Sequence, residues 1–167
     1  MNKKNIIILT SISAVLILSI FVFLYKKDTG NNQNKTQDFK NITYYLDNNP
    51  IKLSDADIKY FGNELKKDIN NDRLEDITFL YTKNSQGSGV FYYVTSAINS
   101  NKGFIGTNSI FLGDRIAPQN IEFNNGDIVV NFADRKLEEP MTTQPSVGVS
   151  KYIKFSNNSL IETKKDN

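Results

Sequence analysis

From Ile6 to Tyr25 the chain runs for 20 residues without a charge or a proline, and its only polar groups are hydroxyls. A helix of that length rises about 30 Å, the thickness of a bilayer's hydrocarbon core, and is longer than the apolar stretch of most cleaved leaders. Thr10, Ser11, Ser13 and Ser19 can return their hydroxyls to the helix backbone. The run is therefore expected to be a transmembrane helix, and the lipid bilayer is the first partner the sequence names.

Orientation follows from the flanks. Lys3 and Lys4 precede the run and Lys26 and Lys27 follow it, but only the C-terminal side has enough chain for a domain. Short basic tails stay inside while long domains cross largely regardless of charge. The expectation is a single-pass protein with residues 1–5 cytoplasmic and the C-terminal part outside. The competing reading is a cleaved signal peptide, with Lys3 and Lys4 as its basic start, although no small-x-small cleavage pattern follows. A lipoprotein is excluded because the chain has no cysteine.

The absence of cysteine and histidine removes most catalytic and metal chemistry at once. There can be no disulfide framework, no nitrogen- or sulfur-ligated zinc, no cysteine nucleophile and no histidine-based triad. Oxygen-bound hard cations remain, as does acid–base chemistry by carboxylates, Lys or Tyr. Charge also narrows the partners. Four of the 20 basic residues flank the apolar run, which leaves 16 beyond Asp28 against all 18 acidic ones. The exported part is slightly acidic and shows no concentrated basic cluster, so nucleic acid is not expected as a partner.

Residues 26–40 read as a flexible tether, polar throughout except for Phe39. Residues 41–163 then suffice for one modest core, a single extracytoplasmic domain, with 164–167 as a polar tail. Its pattern is short β-rich runs between Asn, Gly, Asp and Pro turns, without a long 3.6-residue period. Ile42–Leu46 and Ile51–Leu53 flank Asn48, Asn49 and Pro50; Ile77–Tyr81 and Val90–Ile98 flank a Gly/Ser loop. Ile121–Phe123 and Ile128–Phe132 flank an Asn-Asn-Gly-Asp turn, and Tyr152–Phe155 and Leu160–Ile161 turn at Asn157 and Asn158. The predicted fold class is mainly β, built of antiparallel hairpins as a small sandwich or open barrel behind the N-terminal helix. Ser54–Lys67 suits either one short helix or, through Ile58, Tyr60 and Gly62, an edge strand.

One constellation has chemical meaning at fixed spacing. In Asp68-Ile69-Asn70-Asn71-Asp72-Arg73-Leu74-Glu75-Asp76, oxygen side chains fall at loop positions 1, 3, 5 and 9, and the Leu74 carbonyl is available at position 7. Calcium takes six to eight oxygens at about 2.3 to 2.6 Å in a flexible shell, which such alternation can supply. The candidate metal ligands are Asp68, Asn70, Asp72, Leu74 and Asp76, with Ile69 and Leu74 directed into the domain. Position 6 is Arg73 in place of the usual glycine, and no Glu stands at position 12. The competing reading is an Asx-rich turn without metal.

Several segments together carry a family likeness: Tyr60-Phe61-Gly62-Asn63 through the acidic loop, Gly87 to Tyr93, Gly106-Thr107-Asn108, Phe111 to Gln119 and Glu139 to Tyr152. Over nearly all of 42–163 the chain resembles a family of uncharacterised exported or membrane-anchored bacterial domains. The resemblance implies an acidic loop of the FG-GAP or dockerin-like calcium type, sometimes beside META-type envelope domains, and no assigned activity. The chain departs from that pattern at Lys67, Asn71 and Arg73, where such loops favour glycine.

Asp114-Arg115 and Asp134-Arg135 each follow a predicted strand and form a candidate ligand-binding set, or else tie to one another across the sheet. Tyr92 and Tyr93 should point to opposite faces, one core and one exposed. Lys136–Gly148, with Pro140 and Pro145, reads as a long functional loop or as a cover over a sheet edge, burying little beyond Met141 and Val147. Three functions remain: a calcium-stabilised anchored module binding an envelope protein or glycan, a metal-free structural domain, or a glycan-active enzyme using Asp114, Asp134, Glu138 and Glu139.

Overall fold

The computed structural model describes residues 38–84 and 87–164. The expected cytoplasmic tail, membrane helix and most of the tether lie outside them. Among the described residues no helix is long and apolar enough to cross a membrane.

The domain is mainly β and antiparallel throughout its sheets. A 3-10 turn, Phe39–Asn41, opens it, capped by the Asp38 carboxylate on the Lys40 N–H. Eleven strands follow: β1 Thr43–Leu46, β2 Asn49–Lys52, β3 Ile58–Lys67, β4 Asp76–Asn84, β5 Val90–Ile98, β6 Ile105–Gly106, β7 Ile110–Asp114, β8 Ala117–Asn124, β9 Asp127–Asp134, β10 Val147–Ser156 and β11 Ser159–Thr163. They form a β1–β2 hairpin, a sheet ordered β3-β4-β5-β6 with β7 also on β5, and a sheet ordered β11-β10-β9-β8.

All four expected hairpins form, as β1–β2, β4–β5, β8–β9 and β10–β11. Three close with two consecutive left-handed residues: Asp47-Asn48, Asn125-Gly126 and Asn157-Asn158. That is the mirror-image turn whose twist matches the strands, and Asn, Asp and Gly are the residues that tolerate it. The first turn sits earlier than expected, because Asn49 and Pro50 already belong to β2. Pro50 lacks an N–H, and a two-stranded ribbon has an outer edge that does not need one.

Ser54–Lys67 contains no helix. From Ile58 to Lys67 it is β3, an edge strand interrupted by register shifts around Gly62 at φ 106° and Asn63 at φ 51°. Left-handed residues at that point end any helical path and instead give a bulge that bends the edge.

The two large sheets share one core. Leu80, Val94, Leu112 and Ile116 from one side meet Ile128, Val130, Phe132, Ile153 and Leu160 from the other. A second cluster, beyond the single core expected from length, covers the opposite face of the central sheet. Ile77, Phe79, Tyr81 and Ala97 pack there under Ile42, Tyr44 and Ile51. β4 is thus buried from Asp76 to Thr82, with Ile77, Phe79 and Tyr81 on one face and Leu80 among Asp76, Thr78 and Thr82 on the other. The tether ends sooner than expected, since Phe39 packs its ring against Phe79, Tyr60 and Phe104. The hairpin is seated so tightly on β6 that a Cβ on Gly106 would collide with the Thr43 carbonyl oxygen and meet the Tyr44 ring at 2.8 Å.

The layers are stitched at Thr107–Ser109. Tyr45 N–H donates to the Thr107 carbonyl (3.1 Å) and Ser109 N–H to the Tyr45 carbonyl (2.8 Å). The Asn108 amide then grips Leu160 of the other sheet, Nδ2 donating to its carbonyl (2.9 Å) and the Leu160 N–H donating to Oδ1 (2.7 Å). Leu160 is buried, so Asn108→Ala leaves two backbone groups unpaired. The expected loss is about 2 to 4 kcal/mol in denaturant unfolding, with faster amide exchange across β11; an unchanged midpoint would show that the clamp is dispensable.

Candidate functional site

The acidic loop bridges β3 and β4 and folds around its own first residue. Asp68 accepts from the Asp72 N–H (3.2 Å) and the Arg73 N–H (2.8 Å). Asn70 Oδ1 also accepts from Asp72 N–H (3.0 Å) while its amide donates to Asp72 Oδ2 (3.0 Å), and Asp72 Oδ1 accepts from Leu74 N–H (2.8 Å). This wrap requires two left-handed residues, Asn71 at φ 63° and Arg73 at φ 71°. Arg73 adopts the conformation that a glycine usually supplies at position 6, at the steric cost a Cβ carries there.

Of the two apolar residues expected to face inward, Ile69 is buried in the shared core and Leu74 is half-buried. Asp76 is fully buried at the start of β4. Its carboxylate accepts from Ile69 N–H (2.9 Å) and from Asn99 N–H (2.8 Å), so it locks the loop to the end of β5. Asn99 also donates its side-chain amide to the Glu75 carbonyl (3.2 Å). Spacing within one loop could not reveal Asn99, because its contribution is a backbone N–H delivered by a strand far along the chain.

Burial pushes the Asp76 carboxyl above its ordinary range; the two N–H donors oppose the shift, and the nearby Asp72 and Asp68 charges add to it. A raised folded value means that Asp76 favours folding most at low pH, and this contribution declines as the pH rises through the raised value. At neutral pH its negative charge is therefore a cost that a cation would offset. Among the described residues no three acidic side chains converge on one point. A cation here would have to draw on Asn70 Oδ1 and the Leu74 carbonyl together with the carboxylates.

The two Asp-Arg pairs lie at the other end of the sheets, at the ends of β7 and β9, and the structure does bring them together. Arg135 Nη1 donates to the Asp114 carbonyl (3.3 Å). No forked Arg–carboxylate bond crosses the sheet, however. Arg115, itself left-handed at φ 50°, donates from Nε to the Ser88 carbonyl (3.1 Å) and from Nη2 to the Ser88 hydroxyl (3.0 Å). Arg135 donates to the Thr143 carbonyl in the proline loop. The Asp114 carboxylate accepts from Val90 N–H (2.8 Å) and that of Asp134 from Arg135 N–H (2.7 Å). Each guanidinium is a strap over a neighbouring loop, Arg115 also lying 3.8 Å from the Asp114 carboxylate.

The proline loop is ordered by short turns, with Glu139 N–H on the Lys136 carbonyl, Lys136 N–H on the Glu139 carboxylate and Ser146 N–H on the Asp134 carbonyl. It does not bury the residues expected of it. Met141 and Val147 are exposed, and Leu137 is 100% exposed at the tip. Tyr92 and Tyr93 do take opposite faces, but both are half-buried: Tyr92 lies against Phe61 and the shared core, and Tyr93 stacks on Tyr81 with centroids 5.3 Å apart. Aromatic neighbours on both faces of β5 leave no fully exposed tyrosine there.

No family model, no curated protein and no solved structure matches this chain.

Arg73→Gly should relieve the left-handed strain and stabilise the domain by about 1 kcal/mol, read as a higher denaturation midpoint. Destabilisation would mean that the Arg73 side chain contributes something its backbone geometry does not indicate. Asp76→Ala should cost about 3 kcal/mol by stranding the Ile69 and Asn99 N–H groups, in the same measurement.

Proposed function

We propose that this chain is a membrane-anchored extracytoplasmic binding module, held to the bilayer by residues 6–25 and stiffened by calcium at residues 68–76. The observation that carries the metal reading is the loop itself. Asp68 wraps the N–H groups of positions 5 and 6, and Arg73 accepts a strained φ to allow it. Buried Asp76, felt electrostatically by Asp68 and Asp72, supplies the negative environment that a divalent cation would neutralise. Ion binding would staple the entry to β4, the strand on which both apolar clusters depend.

The metal-free reading has an observation of its own. The carboxylates of Asp68, Asp72 and Asp76 each already accept backbone N–H groups, so the loop has a complete fold as an Asx-rich turn. The carboxylates of the glycan-enzyme reading also have backbone duties: Asp114 on Val90, Asp134 on Arg135 and Glu139 on Lys136. This ranks binding above catalysis. The binding end in this reading is the loop cluster tied by Arg115 and Arg135, with an envelope protein or glycan as the partner.

Thermal unfolding of the full-length chain with chelator and with millimolar calcium tests the metal. Calcium at a hundredfold excess over Kd should stabilise by about 2.7 kcal/mol, and Asp72→Ala should remove the effect. A calcium-independent midpoint would leave the loop as a plain turn. The address has a clean probe because the chain lacks cysteine. Asn101→Cys, at an exposed turn, should react with an impermeant maleimide on intact cells, and labelling only after lysis would overturn the orientation.

A further inference from the structure

β10 is covered unevenly. On one side β9 pairs with it from Val147 to Ile153. On the other, β11 begins at Ser156 and stops at Tyr152, opposite Thr163, so from Val147 to Lys151 the outer edge has no strand among the described residues. An open edge presents N–H and C=O groups at strand spacing, and the ligand that matches them is another extended backbone.

The side chains along this edge narrow the ligand further. Val149 leans on the shared core, Val147 is exposed, and a Cβ added at Gly148 would meet nothing within 4 Å. Lys151 reaches across to the other sheet, donating to the Phe111 carbonyl of β7 (2.9 Å) and pairing with Glu162 (3.0 Å). Its ammonium has three donors, so these two bonds leave a third.

The chain's own continuation is poorly suited to this place. The register would set Lys164 directly opposite Lys151, and Lys164 lies outside β11. Like charges directly opposite one another destabilise a strand pair. A second copy is also a poor fit, because two such edges paired antiparallel about Val149 set Lys151 against Val147 and supply no carboxylate. Val147, Val149 and Lys151 are alternate residues and share one face of the strand, so apolar side chains opposite Val147 and Val149 and a carboxylate opposite Lys151 match that face.

We propose that the outer edge of β10, from Val147 to Lys151, binds by strand addition an extended segment of a partner protein that sets two apolar residues and one acidic residue, at every second position, on the face of Val147, Val149 and Lys151. The proposal rests on the binding-module reading and names the class of its partner.

The test is amide hydrogen exchange on the full-length chain with a short synthetic peptide, Glu-Thr-Val-Thr-Val, whose glutamate and two valines fall at every second position, against the same peptide with lysine for glutamate. The glutamate peptide should slow exchange at residues 147–151 and bind at least about tenfold more tightly than the lysine peptide. In Lys151→Glu the preference should reverse. If that variant does not fold, the two-peptide comparison on the unaltered chain still decides. Equal binding of both peptides, protection elsewhere only, or protection of 147–151 that rises with protein concentration without peptide would each overturn the proposal, the last in favour of a second copy. The peptide assay needs neither membrane nor calcium, so its failure is distinct from failure of the anchor or metal reading.

Discussion

The fold depends on a short segment that belongs fully to none of its layers. Between β6 and β7, Thr107–Ser109 shares backbone hydrogen bonds with Tyr45 of the hairpin, Thr107 N–H donates to the Ser96 carbonyl, and Asn108 clamps Leu160. Thr107 Oγ1 in turn accepts from the Ser96 N–H. Hydrophobic burial holds the layers together without direction. These bonds give it register, because a one-residue slip would strand buried N–H and C=O groups.

Much of this was legible from sequence, for a physical reason: Asn, Gly and Asp at turn positions and alternating apolar runs are local signals that hairpins obey. Asn125-Gly126 and Asn157-Asn158 announced their turns, and the strands around them followed. What was not legible was long-range. Nothing local marks Asn108 as a clamp 52 residues from its partner, or Asn99 as the donor that holds Asp76. Ser54–Lys67 was ambiguous because it suited either a short helix or, through Ile58, Tyr60 and Gly62, an edge strand, and left-handed Gly62 and Asn63 decide for a bent strand.

The candidate site divides in the same way. The acidic loop was visible because its oxygens alternate within nine residues, and its fold follows that alternation. The Asp-Arg pairs were visible as residues but not as partners. Arg115 and Arg135 chose carbonyls of Ser88 and Thr143, groups present in every residue and so invisible to composition. The opening beside β10 is harder still to foresee, since it is defined by where β11 stops.

The chain enters the domain through its smallest layer. Phe39 lies in the opening 3-10 turn and β1 in the two-stranded ribbon that follows, joined to the rest by apolar packing and the bonds at Tyr45. Tension applied from the N-terminal side would therefore reach this ribbon before either large sheet, and the ribbon could peel while the core between the sheets kept its hydrogen bonds. If the ribbon yields first, Phe79 and Tyr81 are uncovered on a sheet that is otherwise intact, which would make the entry layer a mechanical fuse.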